Sequence, residues 1–197
     1  MQRVRANGWK RIVLEIIPAL LLVALVFLDQ WSKDYFYNLW HFNGDKVVIK
    51  NFFTLTYTVN TGAAWGFLSD KSWGQLFFKV LTSISLVAFV AYYLYAVKKG
   101  KTWLKCALIL IIGGTIGNFI DRLLANGVVD FLSFNFWGYA FPVFNFADTF
   151  LTVGVIMLIV YYCFMDENAI FRSANLQPTK NSNGGEVEDG DFSNNAE

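Results

Sequence analysis

Carboxylate side chains are the groups in this sequence best suited to chemistry, and two of them, Asp130 and Asp148, stand beside long apolar runs. Two carboxyl groups held close together share one proton, because both cannot easily ionise at once. The ionised member can then take a proton from water while the protonated member donates a hydrogen bond to a carbonyl group. A plainer interpretation stays open: both aspartates only cap helices, and Asp148 would suit a first helical turn.

Other polar residues stand within or near the ends of the apolar runs, where a charge is costly and therefore points to function. The charged ones are Asp29, Lys33, Asp121 and Arg122, and the uncharged Asn60, Asn118 and Asn145 join them as candidates. Asp29 and Lys33 are four residues apart, as are Asn118 and Arg122, so a helix would place each pair on one face. An ion pair fixing a helix end is the plainer interpretation of Asp29 and Lys33.

Arg122 and Asp121 could also have purely structural roles. Arg122 could bind a carbonyl or acyl oxygen or orient an aspartate, but it could instead pair with Asp121 or cap its helix. We expect Asp121 to be structural, orienting Arg122 or the backbone.

Several classes of catalytic site do not fit the sequence. His41 is the only histidine, it is expected in a loop, and no H-E-x-x-H or G-x-S-x-G motif is present, so zinc and Ser–His sites are disfavoured. Ser32 and Lys33 are adjacent, and adjacent side chains of a helix point apart. Cys106 and Cys163 are expected to be small apolar residues, and the net charge of +1 gives no basic surface for nucleic acid.

Four apolar runs must position these residues. More than half of the chain is hydrophobic (55%), and only 16% is charged, against roughly 25% in typical soluble proteins. The predicted spans are about 12–28, 76–97, 103–124 and 148–165. Each is near the length a helix needs to cross a bilayer, and backbone groups in lipid must bond internally, so all four are predicted to be helices.

Lysine and arginine predict the orientation of these spans. Dense clusters precede the first span and separate the second from the third, and two more basic residues follow the fourth. These residues are Arg3, Arg5, Lys10, Arg11, Lys98, Lys99, Lys101, Lys105, Arg172 and Lys180. The positive-inside rule therefore predicts that both termini are cytoplasmic, with the first span retained as an anchor and the candidate site on the opposite side.

The remaining segments differ in composition. Residues 46–59 are rich in Val, Ile, Phe, Tyr and Thr and predict short strands of a small sheet outside the membrane. The second exterior loop, 131–147, is crowded with aromatic residues, which suits an interfacial belt and is compatible with a substrate platform. Residues 1–176 are predicted to form one membrane-embedded domain, and 177–197 a disordered cytoplasmic tail.

Five short blocks of the sequence, in order, resemble those of lipoprotein signal peptidases (signal peptidase II), a family of bacterial membrane aspartic proteases. The blocks are Asp29-Gln30-Trp31-Ser32-Lys33, Asn60-Thr61-Gly62-Ala63-Ala64-Trp65-Gly66, the segment from Gly113 to Arg122, Val128-Val129-Asp130-Phe131, and Phe144-Asn145-Phe146-Ala147-Asp148. One such block would be weak evidence, but five at suitable spacing are specific.

The resemblance implies an all-α membrane protein of four transmembrane helices with a small extracytoplasmic β-sheet cradle. It implies that Asp130 and Asp148 are the catalytic pair and that Asn60, Asn118, Arg122 and Asn145 line the site. The supporting residues would be Asp29, Lys33, Gly62 and Asp121.

The resemblance also implies the partners and the location. The substrate would be a prolipoprotein carrying diacylglycerol on a cysteine, cleaved just before that cysteine and docked through membrane lipid. No metal and no organic cofactor are implied, globomycin should inhibit, and the enzyme is expected to be a monomer in the bacterial cytoplasmic membrane. Trp65, where the family more often has Phe, and the long acidic tail depart from the pattern.

Two other functions remain to be weighed. A small transporter or proton relay would need acids at several depths and usually a repeat, whereas the acids here cluster toward one side and no repeat is seen. A catalytically inactive lipoprotein-binding module would not need both aspartates.

Overall fold

Four helices long and apolar enough to cross a membrane form the body of the protein, and a small antiparallel sheet is attached to them. The computed structural model describes residues 2–62, 68, 71, 73–125, 127–166 and 169–173, and of residues 2–15, 40–43 and 172–173 it describes only the backbone. The elements are α1 (Gln2–Asn43), β1 (Lys46–Ile49), β2 (Phe53–Asn60), α2 (Gly74–Lys98), α3 (Thr102–Leu124), β3 (Val128–Phe136), β4 (Tyr139–Ala140), α4 (Phe146–Val160) with a π-helical turn (Tyr161–Met165), and α5 (Ile170–Ser173). The predicted tail, 177–197, lies outside the described residues.

The predicted fold class is confirmed. The segments able to cross a membrane are Ile16–Leu39, Gly74–Lys98, Thr102–Leu124 and Phe146–Met165. The last three match the predicted spans closely. The strands predicted within 46–59 are present as β1 and β2.

The first span was placed wrongly. It was predicted at 12–28, and His41 was expected in a loop, but α1 runs on to Asn43 and the backbone of His41 is helical. The chain contains no glycine or proline after Pro18 until Gly44, which has a left-handed φ of +70° and ends the helix. The prediction failed because Asp29 and Lys33 do not face lipid: both are buried between helices.

Helix α3 is the centre of the bundle. Of its most apolar window 61% is buried, against 22% or less for the other three spans, because α1, α2 and α4 all pack on it. Glycines permit the close approach of α3 and α4. A Cβ on Gly114 would lie 2.9 Å from Leu151 Cγ, and a Cβ on Gly154 would lie 2.7 Å from Ile111 Cγ1.

The two ends of the bundle differ in packing. At the end that holds the α2–α3 turn, an apolar cluster joins α2, α3 and the π-helical turn; its buried members are Ala96, Leu104, Leu108, Ile111 and Tyr161. Lys101 Nζ binds Asp166 Oδ2 there at 2.8 Å. At the opposite end, called the site end below, α2 and α4 are separated by a cavity.

The sheet has the strand order β1-β2-β3-β4 and covers the site end. In the β2–β3 register Thr58 lies opposite Asp130 and Asn60 opposite Val128, so Asn60 and Asp130 are diagonal neighbours on one face. The ring of Phe131 holds the sheet to the helices, stacking on Phe36 of α1 at 4.2 Å and meeting Phe146 of α4 edge-on at 5.5 Å.

The close approach of α3 and α4 predicts the effect of Gly154→Ala. The added methyl group would press on Ile111 and on Ala107 O, and overpacking of this kind costs about 1–3 kcal/mol. We expect a lower apparent melting temperature in detergent. Val155→Ala, at a more exposed position of the same turn, is the control and should change it little; equal effects of the two substitutions would contradict the tight contact.

Candidate active site

The cavity at the site end, about 700 Å³ in volume, brings most of the predicted site residues together. Its walls are α2 and α4, its floor is α3, and the sheet and the segment leading into α4 border it. The polar groups that reach it include Asn60, Asn118, Arg122, Asp130 and Asp148. Asn145 was expected to line the site, but it is fully buried behind the two aspartates and contacts both.

The carboxyl group of Asp130 is held on the sheet by two amides. Asn145 Nδ2 donates to Oδ1 at 2.7 Å, and Asn60 Nδ2 donates to Oδ2 at 3.1 Å. The bond from Asn60 follows from the diagonal pairing of β2 with β3, and the bond from Asn145 comes from the residue that precedes α4. Asp130 is almost completely buried except where it meets the cavity.

Asp148 is held at the start of α4 by a reciprocal capping box. Asn145 Oδ1 accepts from Asp148 N at 3.0 Å, and Asp148 Oδ2 accepts from Asn145 N at 3.2 Å. The other carboxylate oxygen, Oδ1, accepts from Asn118 Nδ2 of α3 at 2.7 Å. Asp148 therefore does cap a helix, as the plainer interpretation proposed, and it also faces the cavity; the two roles coexist.

The orientation of each asparagine amide is set by a second contact. Asn118 Oδ1 accepts from Lys33 Nζ and from Asn145 Nδ2, each at 3.1 Å, so its NH₂ group must face Asp148. Asn60 Oδ1 accepts from Gly62 N at 3.0 Å, which directs its NH₂ group at Asp130. Each carboxyl group thus meets a fixed donor, and the backbone amide of Gly62 helps to fix one of them.

Lys33 is the centre of a buried ionic network under the site. Its Nζ lies 2.8 Å from Asp29 Oδ2, which is the predicted i,i+4 pair, and 2.9 Å from Asp121 Oδ2. Asp29 Oδ1 accepts from Ala147 N of α4 at 2.9 Å, and Asp121 Oδ2 accepts from Val129 N of β3 at 3.1 Å. The network therefore fixes the backbone next to both Asp130 and Asp148.

Asp121 has an ion-pair partner that was not predicted, and one residue was missed. Asp121 was expected to orient Arg122 or the backbone; it binds the backbone, but its ion-pair partner among the described residues is Lys33. Gln30 was given no role, yet its Nε2 donates to Asp121 Oδ1 at 2.9 Å and to Gly117 O at 3.1 Å. Its place beside Asp29, on the face of α1 that carries Lys33, was the only signal.

Arg122 borders the cavity without an ion pair among the described residues. Its Nη1 donates to Asn118 O at 3.2 Å, and the guanidinium carbon lies 5.4 Å from the ring centre of Phe78, within cation–π range. The buried Nε has no hydrogen-bond acceptor in this structure. An N–H group without an acceptor at a cavity wall can donate a hydrogen bond to an oxygen atom of a bound molecule.

The environment of Asp130 changes its protonation. Burial is the main cause that raises the pKa of Asp130 from 3.8 to about 7, and the nearby charge of Asp148 raises it further, while hydrogen bonds from Asn60 and Asn145 and the charge of Lys33 oppose the shift. At neutral pH the pair can therefore hold one proton, which is the state that acid–base chemistry by two carboxyl groups needs. In the described part of the chain no cluster of three or more His, Cys, Asp or Glu side chains is suited to a metal ion.

Comparison with known proteins identifies the family. The family described as signal peptidase (SPase) II matches residues 21–164. The chain belongs to the signal peptidase II family. It is therefore a peptidase and, with its four apolar spans, a multi-pass membrane protein.

Individual relatives agree with this family. A lipoprotein signal peptidase of Pseudomonas paraeruginosa is 42% identical over 144 residues, which cover 72% of this chain and 85% of that protein. One of Staphylococcus haemolyticus is 38% identical over 144 residues, covering 73% and 89%. A solved bacterial membrane enzyme superposes with a TM-score of 0.64 at 36% identity, covering 87% of this chain and 94% of the other.

The ionic network predicts that Lys33→Met destabilises this signal peptidase strongly. The substitution leaves Asp29 and Asp121 buried without their cation, and breaking a buried pair from one side costs about 3–5 kcal/mol. The apparent melting temperature in detergent measures the loss. Lys101→Met, which removes the partly exposed pair with Asp166, is the control and should cost less. If both variants lose the same stability, the network is not the main support of the site.

The raised pKa of Asp130 predicts a pH-dependent effect of Asp130→Asn. Because the pKa is about 7 in the folded protein and 3.8 ordinarily, the folded state binds the proton more tightly, and the free energy of unfolding falls as the pH rises between those values. The Asp130→Asn variant has no titrating group at this position, so its free energy of unfolding does not fall for this reason. The difference in apparent melting temperature, variant minus wild type, should therefore become more positive from pH 5 to pH 8. The exposed Asp34→Asn serves as control, and a difference that stays constant with pH would refute the shift.

Proposed function

We propose that this protein is a lipoprotein signal peptidase that cleaves its substrate as an aspartic endopeptidase, with Asp130 and Asp148 as the catalytic pair. Membership of the signal peptidase II family assigns to it the removal of signal peptides from prolipoproteins. The observation that carries the catalytic proposal is that two carboxyl groups, from β3 and from the start of α4, reach one cavity and share Asn145 as a common hydrogen-bond partner.

The environments of the two aspartates support different roles. Asp148 lies at the N-terminus of α4, where backbone amides and the helix dipole favour a negative charge. Asp130 has the pKa of about 7 and holds the shared proton. In this mechanism Asp148 takes a proton from water, the hydroxide portion attacks the scissile carbonyl carbon, and Asp130 hydrogen-bonds the carbonyl oxygen.

The second half of the reaction restores the pair. The tetrahedral intermediate collapses, the C–N bond breaks, and the leaving amine receives the proton that Asp148 took from water. The products are a new carboxyl terminus on the signal peptide and a new amine on the cysteine. No other co-reactant is consumed. Arg122, with its free Nε at the cavity wall, is placed to bind an oxygen of the substrate.

The shape of the cavity supports a lipid-carrying substrate. It runs between α2 and α4, and most of its lining is apolar, including Leu81, Phe89 and Leu151. These residues belong to segments long and apolar enough to cross a bilayer. A diacylglyceryl group on the cysteine can lie in this cleft with its chains in the membrane, which would position the scissile bond beside the two aspartates.

The remaining parts of the proposal concern location and assembly. The basic clusters favour both termini in the cytoplasm and the site on the extracytoplasmic face of a bacterial cytoplasmic membrane. A monomer suffices, since both aspartates and all four asparagine and arginine neighbours come from one chain. Globomycin is expected to inhibit the enzyme.

A proton relay is disfavoured by the depth of the acids. Within the described side chains, the carboxylates inside the spans are Asp29, Asp34, Asp121 and Asp148. All lie toward the site end of their helices. A relay needs titratable groups distributed across the membrane.

The catalytic assignment predicts that Asp130→Asn and Asp148→Asn each abolish cleavage while the protein still folds. The measurement is a gel-shift assay of a diacylglyceryl-modified prolipoprotein with the purified variants. The loss should be at least about 100-fold, since general acid–base catalysis contributes this much or more. Asp166→Asn, at the opposite end of the bundle, is the control and should retain activity. Near-normal turnover by either site variant would refute the assignment.

A further inference from the structure

The two neighbouring turns of the sheet form an exposed aromatic surface, of which only Phe141 also lines the cavity. We call it the aromatic tip; its members are Phe52, Phe136, Trp137, Tyr139 and Phe141. Trp137 is 100% exposed, and the other four are between 39% and 56% exposed. The turns are tied together, because Asn135 N donates to Phe52 O at 2.8 Å and the rings of Phe52 and Phe136 lie 5.7 Å apart.

The backbone at Trp137 is unusual for its side chain. Phe136 pairs with Tyr139, so Trp137 and Gly138 form a two-residue hairpin turn, with φ of +51° and +92°. Such turns prefer Asn-Gly or Asp-Gly, because both central residues adopt left-handed conformations that bulky side chains avoid. Local backbone stability therefore does not favour a tryptophan at this position.

The base of this hairpin borders the cavity between two membrane-spanning helices. Phe141 lines the cavity together with Leu81 of α2 and Val153 of α4, and both of those residues lie inside predicted spans. Trp137 is four residues from Phe141, a reach of about 13 Å in extended chain. The headgroup layer on each side of a bilayer is only about 5–8 Å thick, so the hairpin is long enough to reach it.

The charges around the aromatic tip favour a lipid surface over a protein surface. Residues 46–53 and 131–144, which include both turns, contain Lys46 and Lys50 and no aspartate or glutamate. Both lysines are exposed. Tryptophan and tyrosine with nearby lysine are the residues that anchor proteins at the boundary between headgroups and acyl chains, and lysine adds attraction to anionic lipids.

We propose that the aromatic tip inserts into the headgroup region of the leaflet at the site end and anchors the sheet there. The anchor holds β2 and β3, which carry Asn60 and Asp130, at a fixed depth relative to Asp148 on α4. Trp137 makes no contact with the site, so this role is separate from catalysis and does not depend on the proposed function.

The test uses a label at position 137 in lipid nanodiscs of phosphatidylcholine and phosphatidylglycerol. In a background with Cys106→Ser and Cys163→Ala, Trp137→Cys is labelled with an environment-sensitive fluorophore. Leu124→Cys, at an exposed position at the end of a span, is the membrane reference. We expect a blue-shifted emission at 137, quenching by lipids that carry a nitroxide at the headgroup, and protection from iodide in water.

Two outcomes would overturn the proposal. In the first, iodide quenches the label at 137 as strongly as the free fluorophore while nitroxide lipids do not quench it. In the second, protection appears only when two copies share a nanodisc or when a prolipoprotein is added, which would assign the aromatic tip to a protein partner. The gel-shift activity of the labelled protein, which should stay close to that of the background, shows that the fold is intact.

Discussion

The buried ammonium group of Lys33 is the interaction on which the rest of the site depends. It lies between two carboxylates, Asp29 and Asp121, and also donates to Asn118. A lysine this deeply buried is stable only because three acceptors replace its water. Its partners in turn bind the amides of Ala147 and Val129, so one cation connects α1, α3, the start of α4 and the start of β3.

This network explains how two aspartates from different structural elements can be held in register. Asp130 lies on a strand and Asp148 on a helix. The network binds the backbone amide of the residue that precedes each of them. Asn145 completes the connection, since its side chain and backbone contact both carboxyl groups. The neighbouring amides are fixed donors, so the site needs little rearrangement to stabilise charge on its carboxyl groups.

The two ends of the bundle have different roles: one end is tightly packed, and the other contains the cavity. At the end remote from the site, apolar side chains and the Lys101–Asp166 pair join α2, α3 and the end of α4. At the site end α2 and α4 both remain on α3 but leave the cavity between them. A cleft between two membrane-spanning helices fits the lipid-carrying substrate proposed above.

The sequence by itself determined the four helices and the strands at 46–59, and it singled out five of the polar residues that border the cavity. Lipid requires every backbone group to bond within the chain, so long apolar runs must be helices, and the i,i+4 spacing of Asp29 and Lys33 gave their ion pair. Only the tertiary structure decided the length of α1, the pairing of Asp121 with Lys33 rather than Arg122, and the burial of Asn145 behind both aspartates. The physical reason is that a charge within a helix is tolerated or excluded according to its partners on other helices, and those partners are far away along the chain.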